Sequence, residues 1–166
     1  MTGWRLGYVV TRDVHVRRLI GQLAEASIAC PSSVSQRAAL AAVLGPQDSV
    51  DTAVASYQER RDAAVALLTA RGVPCVVPQG AFYLMVDVSA ATGDGEEFAL
   101  RLLSDQHVAV SPGEAFGSGA AGMVRVSLAS DRRALLQGLT RLADLVDAWS
   151  ATSVRVGAGL DGVVIG

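Results

Sequence analysis

Every basic side chain in this sequence is an arginine: there are fourteen, and no lysine, in 166 residues. A guanidinium is planar and permanently charged, and it grips a phosphate or a carboxylate through two parallel charge-assisted hydrogen bonds. No side-chain amine exists to form a Schiff base or to act as a lysine base. Two arginines stand out by their setting. Arg5 lies between Gly3 and Gly7, which let other groups approach the backbone closely, and between Trp4 and Tyr8, which could instead stack on it as a cation–π contact. Arg125 interrupts the apolar positions Val124, Val126 and Leu128, and strand alternation puts it on the opposite face. An arginine there is exposed or paired, and an ordinary surface salt bridge is the plain alternative to a functional role.

Other reactive groups are isolated. Cys30 and Cys75 are far apart and make neither a metal-type pair nor a disulfide framework, so a reducing, cytoplasmic setting is the simple expectation. His15 and His107 stand alone and read as surface or loop residues; no metal site is expected. A Gly-x-Gly-x-x-Gly string at Gly157, Gly159 and Gly162 lacks the βαβ context that a dinucleotide site requires.

The elements that must position these groups follow from apolar periodicity. Residues 4–10 are rich in β-formers and predict a strand. Asp13 can cap a helix with Val16, Leu19, Ile20 and Leu23 on one face. A second helix is predicted from Ser33 to Leu44, ended by Gly45-Pro46. A longer one, capped near Asp48, carries Val50, Val54, Tyr57, Ala64 and Leu68 and ends at Gly72 and Pro74. The pattern then changes. Residues 73–77 predict a short strand, and Phe82, Leu84, Val86 and Val88 alternate with Tyr83, Met85 and Asp87. Asp94 can cap a helix with Phe98 and Leu102, residues 108–110 predict a strand, and residues 123–128 predict another. Ser130 can cap a last helix carrying Leu135, Leu139, Leu142, Val146 and Trp149. The expected fold class is α/β, as an α+β domain with helices on a small mixed sheet. The tail after Ser150 is small, Gly-rich and poorly patterned.

Composition limits the alternatives. With 51% apolar residues the chain can bury a core, and a net charge of −2 gives no electrostatic case for nucleic acid or an anionic membrane. No apolar run reaches the ~20 residues that span a bilayer, and no basic start precedes an apolar core as in a signal peptide.

Five segments carry a resemblance. Met1-Thr2-Gly3-Trp4-Arg5-Leu6-Gly7-Tyr8 is the most specific. Val34-Ser35-Gln36-Arg37-Ala38-Ala39-Leu40 follows, then Pro78-Gln79-Gly80-Ala81-Phe82-Tyr83-Leu84. Residues 108–117 read V-x-V-x-P-G-x-x-F-G, and Val124-Arg125-Val126-Ser127-Leu128-Ala129 completes the set. In motif, order and spacing they resemble the C-terminal portion of a class I/II pyridoxal-phosphate (PLP) aminotransferase of fold type I, similar to aspartate aminotransferases.

The resemblance covers residues 1 to about 149 and implies amino-group transfer between an amino acid and a 2-oxo acid. It implies that Arg5 binds the PLP phosphate, that Arg125 binds the substrate α-carboxylate, and that Gly80 lies near the substrate. It further implies that residues 1–30 come from a larger cofactor domain, 31–72 are interdomain helices, 73–149 are the small C-terminal domain and 150–166 a tail. Pro112, Gly113 and Phe116 are expected to shape and pack a turn. The catalytic lysine is absent, so the expectation is a truncated portion, inactive alone, with no catalytic residue of its own. Ile28, Ala29 and Cys30 stand where relatives often carry polar residues that reach a neighbouring subunit. Self-association through residues 4–10, as a homodimer or another assembly, is expected. Two other readings remain open: a catalytically dead association domain, and part of a PLP-dependent lyase or synthase of the same fold.

Overall fold

The computed structural model describes residues 2–158, with side chains described for residues 3–151. The chain forms two compact units, Met1–Thr52 and Ala53–Gly166.

The first unit opens with a 3₁₀ turn, Thr2–Trp4, and continues through residues 5–12 without regular structure. The strand expected over residues 4–10 is not formed. A strand is defined by its hydrogen-bonded neighbour, and no described segment pairs with this one. Arg5 also has φ 48°, in the left-handed region that no strand residue adopts. The expected helices are present. Helix α1, Val14–Ile28, is capped by Asp13, whose Oδ1 accepts from the His15 and Val16 amides at 2.8 and 3.1 Å. Helix α2, Ser33–Leu44, is capped by Ser32 and ends at Gly45. A Cβ at Gly45 would stand 2.8 Å from the Ala41 carbonyl oxygen, so the helix stops where no side chain fits. Helix α3, Asp48–Ala70, begins here, with Asp48 and Asp51 in its first turn, where acidic groups meet the positive end of the helix dipole.

The second unit contains the rest of α3 and a four-stranded sheet in the order β1-β2-β4-β3. The strands are β1 Cys75–Val76, β2 Tyr83–Asp87, β3 Ser111–Pro112 and β4 Met123–Ser127. Every pairing is antiparallel, where a mixed sheet was expected. Strands β2 and β3 run in the same direction, but β4 lies between them, so no parallel pair forms. Strand β3 starts one residue after the predicted 108–110 segment, because the Val108 amide still bonds back to Leu102 of helix α4, Gly95–Gln106.

Alternation along β2 and β4 sorts the side chains as expected. Leu84, Val86, Val124 and Val126 face the core, which Val88 and Leu128 extend beyond the strand ends. Ala64 and Leu68 of α3, Phe98 and Leu102 of α4, and Leu135, Leu139, Leu142 and Val146 of helix α5, Arg132–Ala158, close over that face. Asp131, not Ser130, caps α5: its Oδ1 accepts from the Arg133 and Ala134 amides at 2.9 and 3.1 Å. Hydrogen bonds, first that from Ala134, hold the Asp131 carboxyl below its ordinary range. Helix α5 also runs on past Ser150 to Ala158, with no glycine or proline between Gly138 and Gly157. Gly159 and Gly162 of the Gly-x-Gly-x-x-Gly string lie outside the described residues. Among the described residues no helix is long and apolar enough to cross a membrane.

Candidate functional site

Strand alternation that sends Val124 and Val126 into the core sends Arg125 to the other face of the sheet. There its backbone register partners are Met85 of β2 and Ser111 of β3. Its side chain is half-buried. The guanidinium carbon lies over two aromatic rings, 4.1 Å from the Tyr83 centroid and 4.2 Å from that of Phe116. Nη2 donates to Ser111 Oγ at 3.3 Å. Among the described residues no carboxylate lies within 4.0 Å of it, so the ordinary salt bridge is not formed. Stacking covers the π surface of a guanidinium and leaves its in-plane N–H donors, the ones a carboxylate meets two at a time.

The Tyr83 ring belongs to an aromatic series. Its centroid is 4.4 Å from Phe82, which stacks at 5.9 Å on Tyr57 of α3. Gly80, the other residue expected near substrate, stands in the loop between β1 and β2. It lines a cleft of about 330 Å³ with Tyr57, Gln58, Arg61, Gln79 and Leu128. A Cβ at Gly80 would meet nothing within 4 Å, while the next residue, Ala81, holds φ 59°. Arg125 does not line that cleft. The structure therefore groups Arg125 with Tyr83, Ser111 and Phe116, and places Gly80 at a different opening of the same unit.

Arg5 belongs to the first unit and is exposed. Its stacking between Trp4 and Tyr8 is not formed, and among the described residues its guanidinium has no acidic partner. Tyr8 is 83% exposed, so its ring is not spent on Arg5. A free guanidinium between Gly3 and Gly7, where added Cβ atoms would meet open space, fits a phosphate. The amine that would bind the aldehyde of PLP has no counterpart in this sequence. Among the described residues no His/Cys/Asp/Glu group could hold a metal ion.

Sequence reasoning treated Phe116 as turn packing and did not single out Tyr83, Ser111 or Glu114. All four lie inside the quoted motifs. What the motif strings could not show is that a turn from residues 113–116 returns its ring onto a strand residue nine positions later.

The chain as a whole has known relatives. Residues 1–142 match the family model for aminotransferase class I and II, and the chain belongs to that family. It is 32% identical over 154 residues to an aspartate aminotransferase of Musicola paradisiaca, covering 92% of this chain and 38% of that protein. It is 41% identical over 128 residues to an aspartate/prephenate aminotransferase of Cereibacter sphaeroides, covering 70% of this chain and 32% of that one. The crystal structure of an aromatic aminotransferase from Pyrococcus horikoshii shares the fold with a TM-score of 0.78 at 30% identity, over 89% of this chain and 40% of the other. The chain thus spans about two fifths of the length of such relatives.

Proposed function

We propose that this chain supplies the carboxylate-gripping part of a PLP-dependent aminotransferase, with amino acids and 2-oxo acids as substrates. The observation that carries the reading is Arg125: a half-buried cation held over two rings, bonded to a neutral hydroxyl, with no described carboxylate to neutralise it. Such a group is prepared for an anion that arrives with the substrate. Two in-plane bonds to an α-carboxylate would orient the Cα–H bond. Arg5 would hold the cofactor phosphate, and Gly80 would leave room on the substrate side. When bound, PLP supplies the electron sink. The lysine would have to come from outside these 166 residues. Residues 1–30 would then belong with a cofactor domain, 31–72 would connect, and 73–149 would form the small domain. A cytoplasmic, self-associating protein fits this reading.

The deciding experiment replaces Arg125 by lysine in the PLP-loaded holoenzyme that contains this chain. Lysine keeps the charge and loses the fork. The expected result is a fall in kcat/KM for amino-acid substrates of roughly ten- to a hundredfold, equivalent to about 1.5–3 kcal/mol for one charge-assisted bond, with PLP retained. Unchanged kcat/KM would overturn the reading.

The exposed apolar residues of α1 and α2 separately favour a second reading, an association domain without catalysis. For the 166-residue chain alone, both readings expect no reduced pyridoxyl group on any side chain after treatment with PLP and borohydride. Peptide mapping must set aside the α-amine of Met1, whose ordinary pKa is about 8. A stoichiometric side-chain adduct would defeat both readings, and a transaminating holoenzyme would eliminate the second.

A further inference from the structure

Phe116 is 50% exposed, yet its ring lies against a charge, 4.2 Å from the Arg125 guanidinium carbon. Core packing does not account for a large apolar ring placed that way. The backbone that carries it is held at several points. Gly113 is buried, and a Cβ there would run into the Ala120 and Met123 carbonyl oxygens, so the turn Gly113–Phe116 can begin only with glycine. Glu114 Oε1 accepts from the Gly95 amide at 2.9 Å and from the Gly122 amide at 3.0 Å. One carboxylate thereby ties the turn to the first residue of α4 and to the residue before β4. Gly117, at φ 110°, leads the chain away, and its amide bonds to the Glu114 carbonyl at 3.2 Å.

We propose that Phe116, carried on the loop that Glu114 pins, is a positioning residue for Arg125. With Tyr83 it fixes the guanidinium plane, so that the in-plane donors not used by Ser111 are presented together. The proposal rests on the reading of Arg125 as a carboxylate grip. A free arginine side chain carries considerable rotamer entropy, part of which a ligand must remove on binding. A guanidinium already stacked has lost much of that freedom, and the ligand gains in affinity by the difference. Glu114 contributes by holding the turn that carries the ring, through its bonds from the Gly95 and Gly122 amides.

The test is site-resolved labelling of the 166-residue chain with phenylglyoxal, read as the modification rate at Arg125 by peptide mass mapping. Phe116→Leu keeps apolar bulk and removes the π face. It should raise the Arg125 rate roughly two- to fivefold, the population change that an exposed cation–π contact represents. Phe116→Tyr restores the face and should restore the wild-type rate. Glu114→Ala should accelerate labelling as Phe116→Leu does. Arg101, stacked on Trp149 at 4.6 Å, is the internal control and should not change. Equal rates in wild type, Phe116→Leu and Phe116→Tyr would overturn the proposal, as would equal acceleration in the last two. Acceleration by Phe116→Leu without acceleration by Glu114→Ala would overturn the role given to Glu114. If Glu114→Ala does not fold, the leucine and tyrosine pair still decides on Phe116. The underlying reading fails separately: if a saturating amino-acid substrate of the PLP-loaded holoenzyme does not protect Arg125 from labelling, Arg125 is no carboxylate grip, whatever the stacking shows.

Discussion

The two units of this chain share a sequence style and differ in what becomes of it. In the second unit, apolar stripes on α3, α4 and α5 meet the apolar face of β2 and β4, and Leu68, Leu84, Phe98, Leu102 and Leu139 are at most 1% exposed. In the first, α1 carries an equally regular stripe, yet Leu19 is 42% and Leu23 67% exposed, and α1 buries none of its residues. Periodicity reports that a helix has a face meant for burial; it does not report whether the same stretch of chain supplies the surface that buries it. The site follows the same division. Arg125 stands on a strand fixed by packing from one side, whereas Arg5 stands on an unpaired segment with a left-handed backbone.

That contrast can be broken most directly by truncation. Leu102→Ala in the second unit should cost about 2–5 kcal/mol in urea unfolding, the usual loss for a buried leucine. Leu23→Ala in the first should stay within about 0.5 kcal/mol, as surface changes do. Comparable losses would show that α1 is buried in solution. Self-association is the next measure. If exposed leucines and valines of the first unit drive contact between copies, light scattering at micromolar concentration should give a mass above that of the monomer, and Leu19→Asp with Leu23→Asp should reduce it. A clean monomer would remove self-association from the account.

The smallest expected effect is a local one inside the well-packed unit. Asp131 has its pKa lowered in the folded state, chiefly by the Ala134 amide. A depressed carboxylate contributes stability above its unfolded value, about 3.9, and loses it as pH falls through the folded value. The wild type should therefore lose more stability than Asp131→Asn between about pH 6 and about pH 3. Parallel pH profiles would show that the cap carries no linkage.

Helix starts were legible because a cap is a local event. Asp13 and Asp94 each satisfy amides two and three residues ahead, and sequence distance is enough to place them. The same reasoning chose Ser130 over Asp131, since two adjacent side chains both qualify and only the turn geometry selects between them. Strands β2 and β4 were legible from period-two burial. Residues 4–10 were not, because their β-forming composition says nothing about a partner, and without one the backbone is free to place Arg5 at positive φ. At the candidate site, Arg125 and its face could be read from alternation. Its stacking partner Phe116 and the pin at Glu114 could not, because both depend on how a ten-residue loop folds back between β3 and β4.

The sequence by itself determined the chemistry available within these 166 residues. Their fourteen guanidiniums can grip anions, and with no lysine among them they offer no side-chain amine for a Schiff base. It also determined which face of β4 carries Arg125, since a period of two leaves no choice once Val124 and Val126 are buried. Only the tertiary structure decided that this arginine keeps an open edge. Two rings from separate segments arrive on one guanidinium, and Glu114 ties the turn that carries one of them to the Gly95 and Gly122 amides. Contacts between residues far apart in sequence depend on the closure of the intervening loop, and no local pattern records how a loop closes.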